Sequence, residues 1–198
     1  VSPTIESHPI RTSFVQGLPF ARTRYRRYLP LFPAAMRRFD FEEYDLLVST
    51  SHCVAKSARP RQTATHMCYC FTPIRYVWDL FDEYFAPGRC GVLERWTMRA
   101  IRRPFRRWDA ATASRVTHFI ADSRLVADRI RRHYGRDSEV IHPPVDLRRF
   151  RIEDSIGDFY FIQSALAPYK RIDLAIEAFR RLGRPLKIGG TGQDLDRL

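Results

Sequence analysis

The residues most able to do chemistry in this chain sit in a short basic run, Ser164-Ala165-Leu166-Ala167-Pro168-Tyr169-Lys170-Arg171, between a strand-like and a helix-like segment. Lys170 and Arg171 would stand at a helix N-terminus, which already carries positive partial charge. An anion between them would relieve the conflict. Backbone N–H groups with two cations make a phosphate site. A solvated basic turn accounts for the same residues, and both readings stay open on the residues alone. Further on, Gly189-Gly190-Thr191-Gly192 follows a short apolar run. It reads either as a tight turn or as a place where backbone approaches a phosphate.

The first half holds a second set of candidates. Phe71-Thr72-Pro73 ends one strand-like run and Asp122-Ser123 ends another. Ligands of open parallel sheets bind beyond such carboxyl ends. Arg75, Tyr76 and Asp79 lie just past Thr72-Pro73, and a helix surface with an aromatic staple is their plain alternative. Ser123 reads most simply as an N-cap. His66 reads as a satisfied strand or core histidine. A zinc set of His52, Cys53, His66 and Cys68 can be drawn, but paired CxxC knuckles are absent, and buried free thiols are the expectation.

These residues need elements to position them. Tyr44–Thr50 reads as a buried strand, His66–Phe71 as a second, Val116–Ala121 as a third and Glu139–His142 as a fourth. Short helices are expected at Arg22–Tyr28 and Pro33–Arg38, and Ile74–Phe85 is aromatic and partly helical. Leu93–Ser114 has a helical pattern with a break or kink at Pro104. Asp122-Ser123 caps a helix over Arg124–Tyr134 that Gly135 stops. Pro143-Pro144-Val145-Asp146 marks a domain boundary. Beyond it, Asp158–Ile162 is a strand. Ile172, Ala175, Ile176, Phe179 and Leu182 space an amphipathic helix, and Leu186-Lys187-Ile188 is another strand. Strand–helix alternation on both sides of the boundary predicts an α/β fold of parallel, doubly wound sheets.

Composition narrows the function class. With 44% hydrophobic residues the chain can fill a core, so disorder is excluded. No segment approaches the ~20 apolar residues of a membrane helix, and no signal peptide is visible. The few cysteines make no disulfide scaffold, which fits a reducing, cytoplasmic compartment. Thirty-four Lys and Arg against 22 Asp and Glu leave a net charge of +12 and predict anionic partners. Arginines are scattered through Arg22–Arg27, Arg37–Arg38, Arg95–Arg107 and Arg124–Arg136. No nucleic-acid motif accompanies them, so nucleic acid is not expected; a solvated face and a membrane-proximal face toward an anionic membrane surface are the two readings left open. The chain opens at Val1 rather than Met and is expected to be an internal fragment.

Several ordered motifs together carry a resemblance. SALAPYKRIDLAIEAFRRLGRPLKIGGTG resembles the start of the donor domain of family-four retaining glycosyltransferases. YDLLVSTSHCVAKSARP, HMCYCFTPIRYVWDLFDEYF, RVTHFIADSRLVADRI and VIHPPVD resemble a branch that includes bacterial mannosyltransferases of polysaccharide assembly. The resemblance runs from about Leu18 to Gly192. It implies the GT-B fold, two facing Rossmann-like domains: 1–143 on the acceptor side, incomplete at its start; 144–150 as crossover; and 151–198 as the truncated opening of the donor-nucleotide domain.

It also implies roles. Lys170 would bind the donor diphosphate, with Arg171, Gly190 and Gly192 beside it. Phe71, Thr72, Ser123, Val145 and Asp146 would line the cleft. No catalytic residue is assigned beyond Arg75 and Asp79 as candidates. The implied partners are a nucleotide sugar, GDP-mannose, and a glycan or lipid-linked glycan acceptor at the inner membrane face. No metal and no cofactor is implied, the nucleotide sugar being a substrate.

The chain departs from the family pattern in three ways. Ala165 stands where relatives often carry arginine, and Phe71 where many carry histidine. The pair of glutamates seven residues apart that marks family donor domains is absent, so this chain by itself is not expected to turn over substrate. A basic binding module without catalysis, or a degenerate paralogue, is the alternative reading.

Overall fold

The computed structural model describes residues 3–21, 25–88, 90–150, 154–192 and 194–198. Among these, the strands are β1 (Leu46–Ser51), β2 (Thr65–Cys70), β3 (His118–Ala121), β4 (Glu139–Val140), β5 (Tyr160–Gln163) and β6 (Leu186–Gly189). The α-helices are α1 (Pro3–Glu6), α2 (Phe32–Arg37), α3 (Phe81–Phe85), α4 (Val92–Thr112), α5 (Arg124–Tyr134) and α6 (Ile172–Leu182). The helix expected from Arg22 begins on residues 22–24, which lie outside the described residues. Its continuation, Tyr25–Leu31, is a short 3₁₀ helix. The chain forms two compact units: Val1–Asp79 with Gly91–Pro143, and Leu80–Cys90 with Pro144–Leu198.

The first unit is a four-stranded parallel sheet in the order β1-β2-β3-β4. Leu46 pairs with Thr65, Met67 with His118 and Ile120 with Glu139, so every strand ends on the same edge. Helix α5 covers one face, and α4 packs beside it. Cys68, Cys70, Phe119 and Ala121 from the strands meet Ala113, Val116, Val126 and Ile130 in one buried cluster. Helix α5 forms where its caps predict. The Ser123 hydroxyl accepts from the N–H of Val126, and Gly135 closes the helix at φ 63°.

Strand β1 departs from the expected buried run. Its inward positions are Ser49 and Ser51, while Leu46 and Val48 on the other face are 55% and 62% exposed. The reason is what β1 faces. Ser49 Oγ lies 2.8 Å from His66 Nε2, and Ser51 Oγ accepts from the N–H of Lys56. Strand periodicity then sends Leu46 and Val48 outward, while Leu47, on the serine face, is half-buried. The other ring nitrogen of His66 lies 3.0 Å from the Arg115 carbonyl. A carbonyl only accepts, so Nδ1 carries the proton and Nε2 takes the Ser49 hydroxyl hydrogen. Burial holds the His66 imidazole below its ordinary pKa, and the ring is neutral.

Helix α4 runs through Pro104 without the break that was one of the two outcomes, break or kink, expected there. Pro104 points to solvent, and the helix is anchored on both sides of it by buried Met98, Phe105, Asp109 and Thr112. Its deepest feature is an ion pair. Lys56 is 1% exposed and Asp109 0%. The Lys56 ammonium lies 3.0 Å from Asp109 Oδ1 and 2.9 Å from Thr112 Oγ1, and it also donates to the Asp109 carbonyl. The ammonium thus donates two hydrogen bonds and pairs in charge with the Asp109 carboxylate. Asp109 Oδ2 accepts from Trp78 Nε1 at 2.7 Å and from the Tyr134 hydroxyl at 2.9 Å. The Tyr134 ring lies 4.5 Å from the ammonium. Burial and the Asp109 charge push the Tyr134 phenol above its usual range. Burial likewise pushes the Cys53 thiol up to about 12, so it stays protonated.

The second unit contains the parallel pair β5–β6, with Tyr160 opposite Leu186 and Gln163 opposite Gly189. The loops beyond both strands continue the pairing: Ser164 N–H donates to Gly189 O and Leu166 N–H to Thr191 O. This close approach requires glycine. A Cβ on Gly190 would lie 1.9 Å from Ser164 O, and one on Gly192 would lie 2.3 Å from Leu166 O.

The following outcomes are expected. Lys56→Met strands a buried carboxylate and should lower unfolding stability by about 3–5 kcal/mol in denaturant titrations. Lys56→Met with Asp109→Leu should cost clearly less than the sum of the single changes. The neutral, buried His66 imidazole binds fewer protons than the unfolded chain, so stability falls as pH drops below about 6.5. His66→Gln should flatten that part of the stability–pH curve. Gly190→Ala should strain the paired loops by about 1–3 kcal/mol, read as faster amide exchange at Ser164 and Leu166.

Candidate functional site

In the second unit, β5 ends at Gln163 and the chain turns through Pro168–Lys170, a single 3₁₀ turn, into α6. Arg171 caps the helix in the left-handed region, φ 50° and ψ 45°, and makes no side-chain cap bond. The two cations there are not equivalent. The Arg171 guanidinium pairs with Asp173 in the first helical turn, with Nε–Oδ1 at 3.1 Å and Nη2–Oδ2 at 3.2 Å. That pairing holds the Asp173 carboxyl below the usual carboxylate range. Asp173 thus supplies the anion that the paired cations seemed to need, and it removes Arg171 from the set of available charges. Lys170 is exposed, with its ammonium 5.6 Å from the Tyr169 ring and no acidic partner among the described residues. In the same unit, Tyr169 stacks on Tyr84 at 5.7 Å. The arrangement offers a compact cation at the carboxyl edge of a parallel strand pair, beside a helix N-terminus.

Gly190 and Gly192 lie in the loop packed on residues 164–166, and that packing by itself accounts for both glycines. Val145 is exposed. Asp146 accepts from the Arg148 N–H and pairs with its guanidinium at 3.0 Å, fixing the turn Leu147–Arg149.

In the first unit, the common strand edge brings together Phe71, Thr72, Asp122, Ser123 and His142. Phe71 N–H donates to Ser51 O, and His142 Nδ1 lies 3.0 Å from Asp122 O. Phe71 is 40% exposed and meets Tyr69 edge-on at 5.4 Å, while the Tyr69 hydroxyl donates to Ile141 O. Ser123 also donates to Asp122 Oδ1. Thr72 is buried and takes a long bond from Arg129. Asp79 lies on this unit too, bridging Arg129 at 3.3 Å and His133 at 3.1 Å, with His133 stacked on Trp78. Arg75 is half-buried in the turn before Asp79.

Sequence reasoning missed Asp173, Arg129 and the His133–Asp79 contact. Asp173 alone carried a usable signal: an acid two residues after Arg171, in the first turn of a helix. Arg129 and His133 reach Asp79 across some fifty residues, and nothing local announces that. The zinc set does not assemble around His66, whose ring nitrogens are committed to Ser49 and Arg115.

Comparison with known proteins agrees with this architecture. No curated protein and no solved structure matches the chain. The family description Glycosyltransferase Family 4 matches residues 2–149, which include the whole four-stranded parallel sheet and helices α4 and α5. Lys170, Arg171 and the Gly190–Gly192 turn lie beyond the matched residues. On a match over most of its length, the chain belongs to glycosyltransferase family 4.

Proposed function

We propose that the protein serves a retaining transfer of mannose from GDP-mannose to a glycan or lipid-linked glycan acceptor in cell-surface polysaccharide synthesis. Residues 1–143 act on the acceptor side, 144–150 form the crossover, and 151–198 open the donor-nucleotide domain. The observation that carries the reading is the contrast between Lys170 and Arg171. Arg171 is paired with Asp173, whereas Lys170 is an exposed ammonium with no acidic partner among the described residues, beside a helix N-terminus. Family membership supports the transferase class.

In this reading the work is leaving-group stabilisation. As the glycosidic bond to the donor breaks, negative charge collects on the departing diphosphate. Lys170 and the first N–H groups of α6 hold it there without reorganising. Asp173 keeps Arg171 from competing for the phosphate and fixes the turn that presents Lys170. The acidic pair typical of family donor domains does not occur between Val1 and Leu198, so these residues alone are not expected to complete the transfer.

Calorimetry tests the assignment. A charged hydrogen bond to phosphate contributes about 1.5–3 kcal/mol. Lys170→Ala should therefore weaken GDP binding roughly tenfold to a hundredfold and leave guanosine binding unchanged. Arg171→Ala should have a smaller effect on GDP. Equal GDP affinity for wild type and Lys170→Ala would remove the residue from the donor site.

A further inference from the structure

Helix α4 has an outward face that the fold does not use. Inward, it buries Met98, Phe105, Asp109 and Thr112. Outward, Val92, Leu93 and Trp96 are 68%, 81% and 64% exposed, a concentration of large apolar surface within the first turns. Ala100, Pro104, Arg99, Arg103 and Arg107 continue the exposed stripe. At 100° per residue these positions fall within a band roughly 140° wide and about 22 Å long. No acid lies on it. Asp109 is committed to Lys56, and Glu94 points off the band. Arg102 and Arg106, on the flank, donate to the Val77 and Trp78 carbonyls. Arg99, Arg103 and Arg107 have no acidic partner among the described residues.

We propose that this face of α4 is a membrane-interfacial surface that binds anionic lipid bilayers. An apolar patch ending in Trp96, continued by arginines on the same stripe, matches what the bilayer boundary offers. Leu93 and Trp96 enter the headgroup–acyl boundary. The arginine stems lie along the surface and carry their charge to lipid phosphates. No described helix is long and apolar enough to cross a membrane, so the contact is in plane. A nucleic acid would neutralise the arginines but leave Leu93 and Trp96 facing water. A second copy meeting it with the same face would bring no acid to the arginines. The inference does not depend on the transfer reaction, so either can fail without the other.

Sedimentation of the full chain with vesicles decides it. Binding is expected to phosphatidylcholine vesicles containing phosphatidylglycerol, weakening with salt, and not to phosphatidylcholine alone. Each arginine near an anionic surface is worth about fivefold in partitioning. Arg99→Gln, Arg103→Gln and Arg107→Gln together should therefore cost roughly a hundredfold. A control that removes equal charge elsewhere, Arg131→Gln with Arg180→Gln and Arg181→Gln, should cost far less. Bromine-labelled lipid should quench tryptophan emission, and Trp96→Phe, a mild change, should abolish most of that quenching. Equal losses in the two triple variants, no preference for anionic vesicles, or unchanged quenching in Trp96→Phe would overturn the proposal. So would arginine-dependent binding to duplex DNA with none to vesicles.

Discussion

A lysine ammonium shut away from water constrains the first unit more than any other single contact. Lys56 is held there by its ion pair with Asp109 and by hydrogen bonds to Thr112 and the Asp109 carbonyl, with the Tyr134 ring alongside. Asp109 in turn can be buried only with Trp78 and Tyr134 donating to its other oxygen. Segments far apart in the chain are thereby held to one arrangement: the turn after β1, the turn after β2, and the ends of α4 and α5. A buried pair of this kind adds little net stability over an apolar replacement, but losing one partner is costly. The serines on the inner face of β1 and the neutral His66 belong to the same polar lining, which is why Leu46 and Val48 face outward.

The remaining charges sort by whether the fold has already used them. Asp79 holds Arg129 and His133. Arg136 caps the carbonyls of Ala113 and Val116. Arg171 is held by Asp173 and Arg148 by Asp146. Among the cations with no acidic partner among the described residues are Lys170 at a strand end and the outward arginines of α4. A cation already paired inside the chain must give up that partner to bind a ligand anion, whereas an unpaired one exchanges only water. Lys170 and Arg171 are adjacent and similar in charge, yet this difference separates them.

Much of the architecture was legible because it rests on local chemistry. Ser123 and Gly135 bracket α5, and Gly183 ends α6, because caps depend on neighbours within a turn. The 3.6-residue spacing from Ile172 to Leu182 and the short β-rich runs announced helix and strands, with ends shifted by a residue or two. Where reasoning from the residues went astray, a distant partner was at work. Strand β1 looked buried because Leu46, Leu47 and Val48 are apolar, but its inward positions were taken by serines serving His66 and Lys56. Pro104 looked like a break or a kink, yet buried anchors on both sides carried α4 through it unbroken. The grouping of Leu80–Cys90 with the second unit had no local signal at all.

The candidate site divides in the same way. The amino-acid sequence by itself determined that a parallel α/β sheet would form, that its strands would end in hydroxyl, glycine and basic residues, and that Lys170 would stand before a helix. Those features follow from periodicity, capping and charge within a few residues. Tertiary structure alone decided that Lys56 would be buried on Asp109, that His66 would be neutral, and that Gly190 and Gly192 would be required by the backbone of residues 164–166. It alone also decided which arginines of α4 would remain open to solvent. Each of these depends on groups brought together from distant parts of the chain, where burial raises the cost of an unmet charge and close packing leaves no room for a side chain.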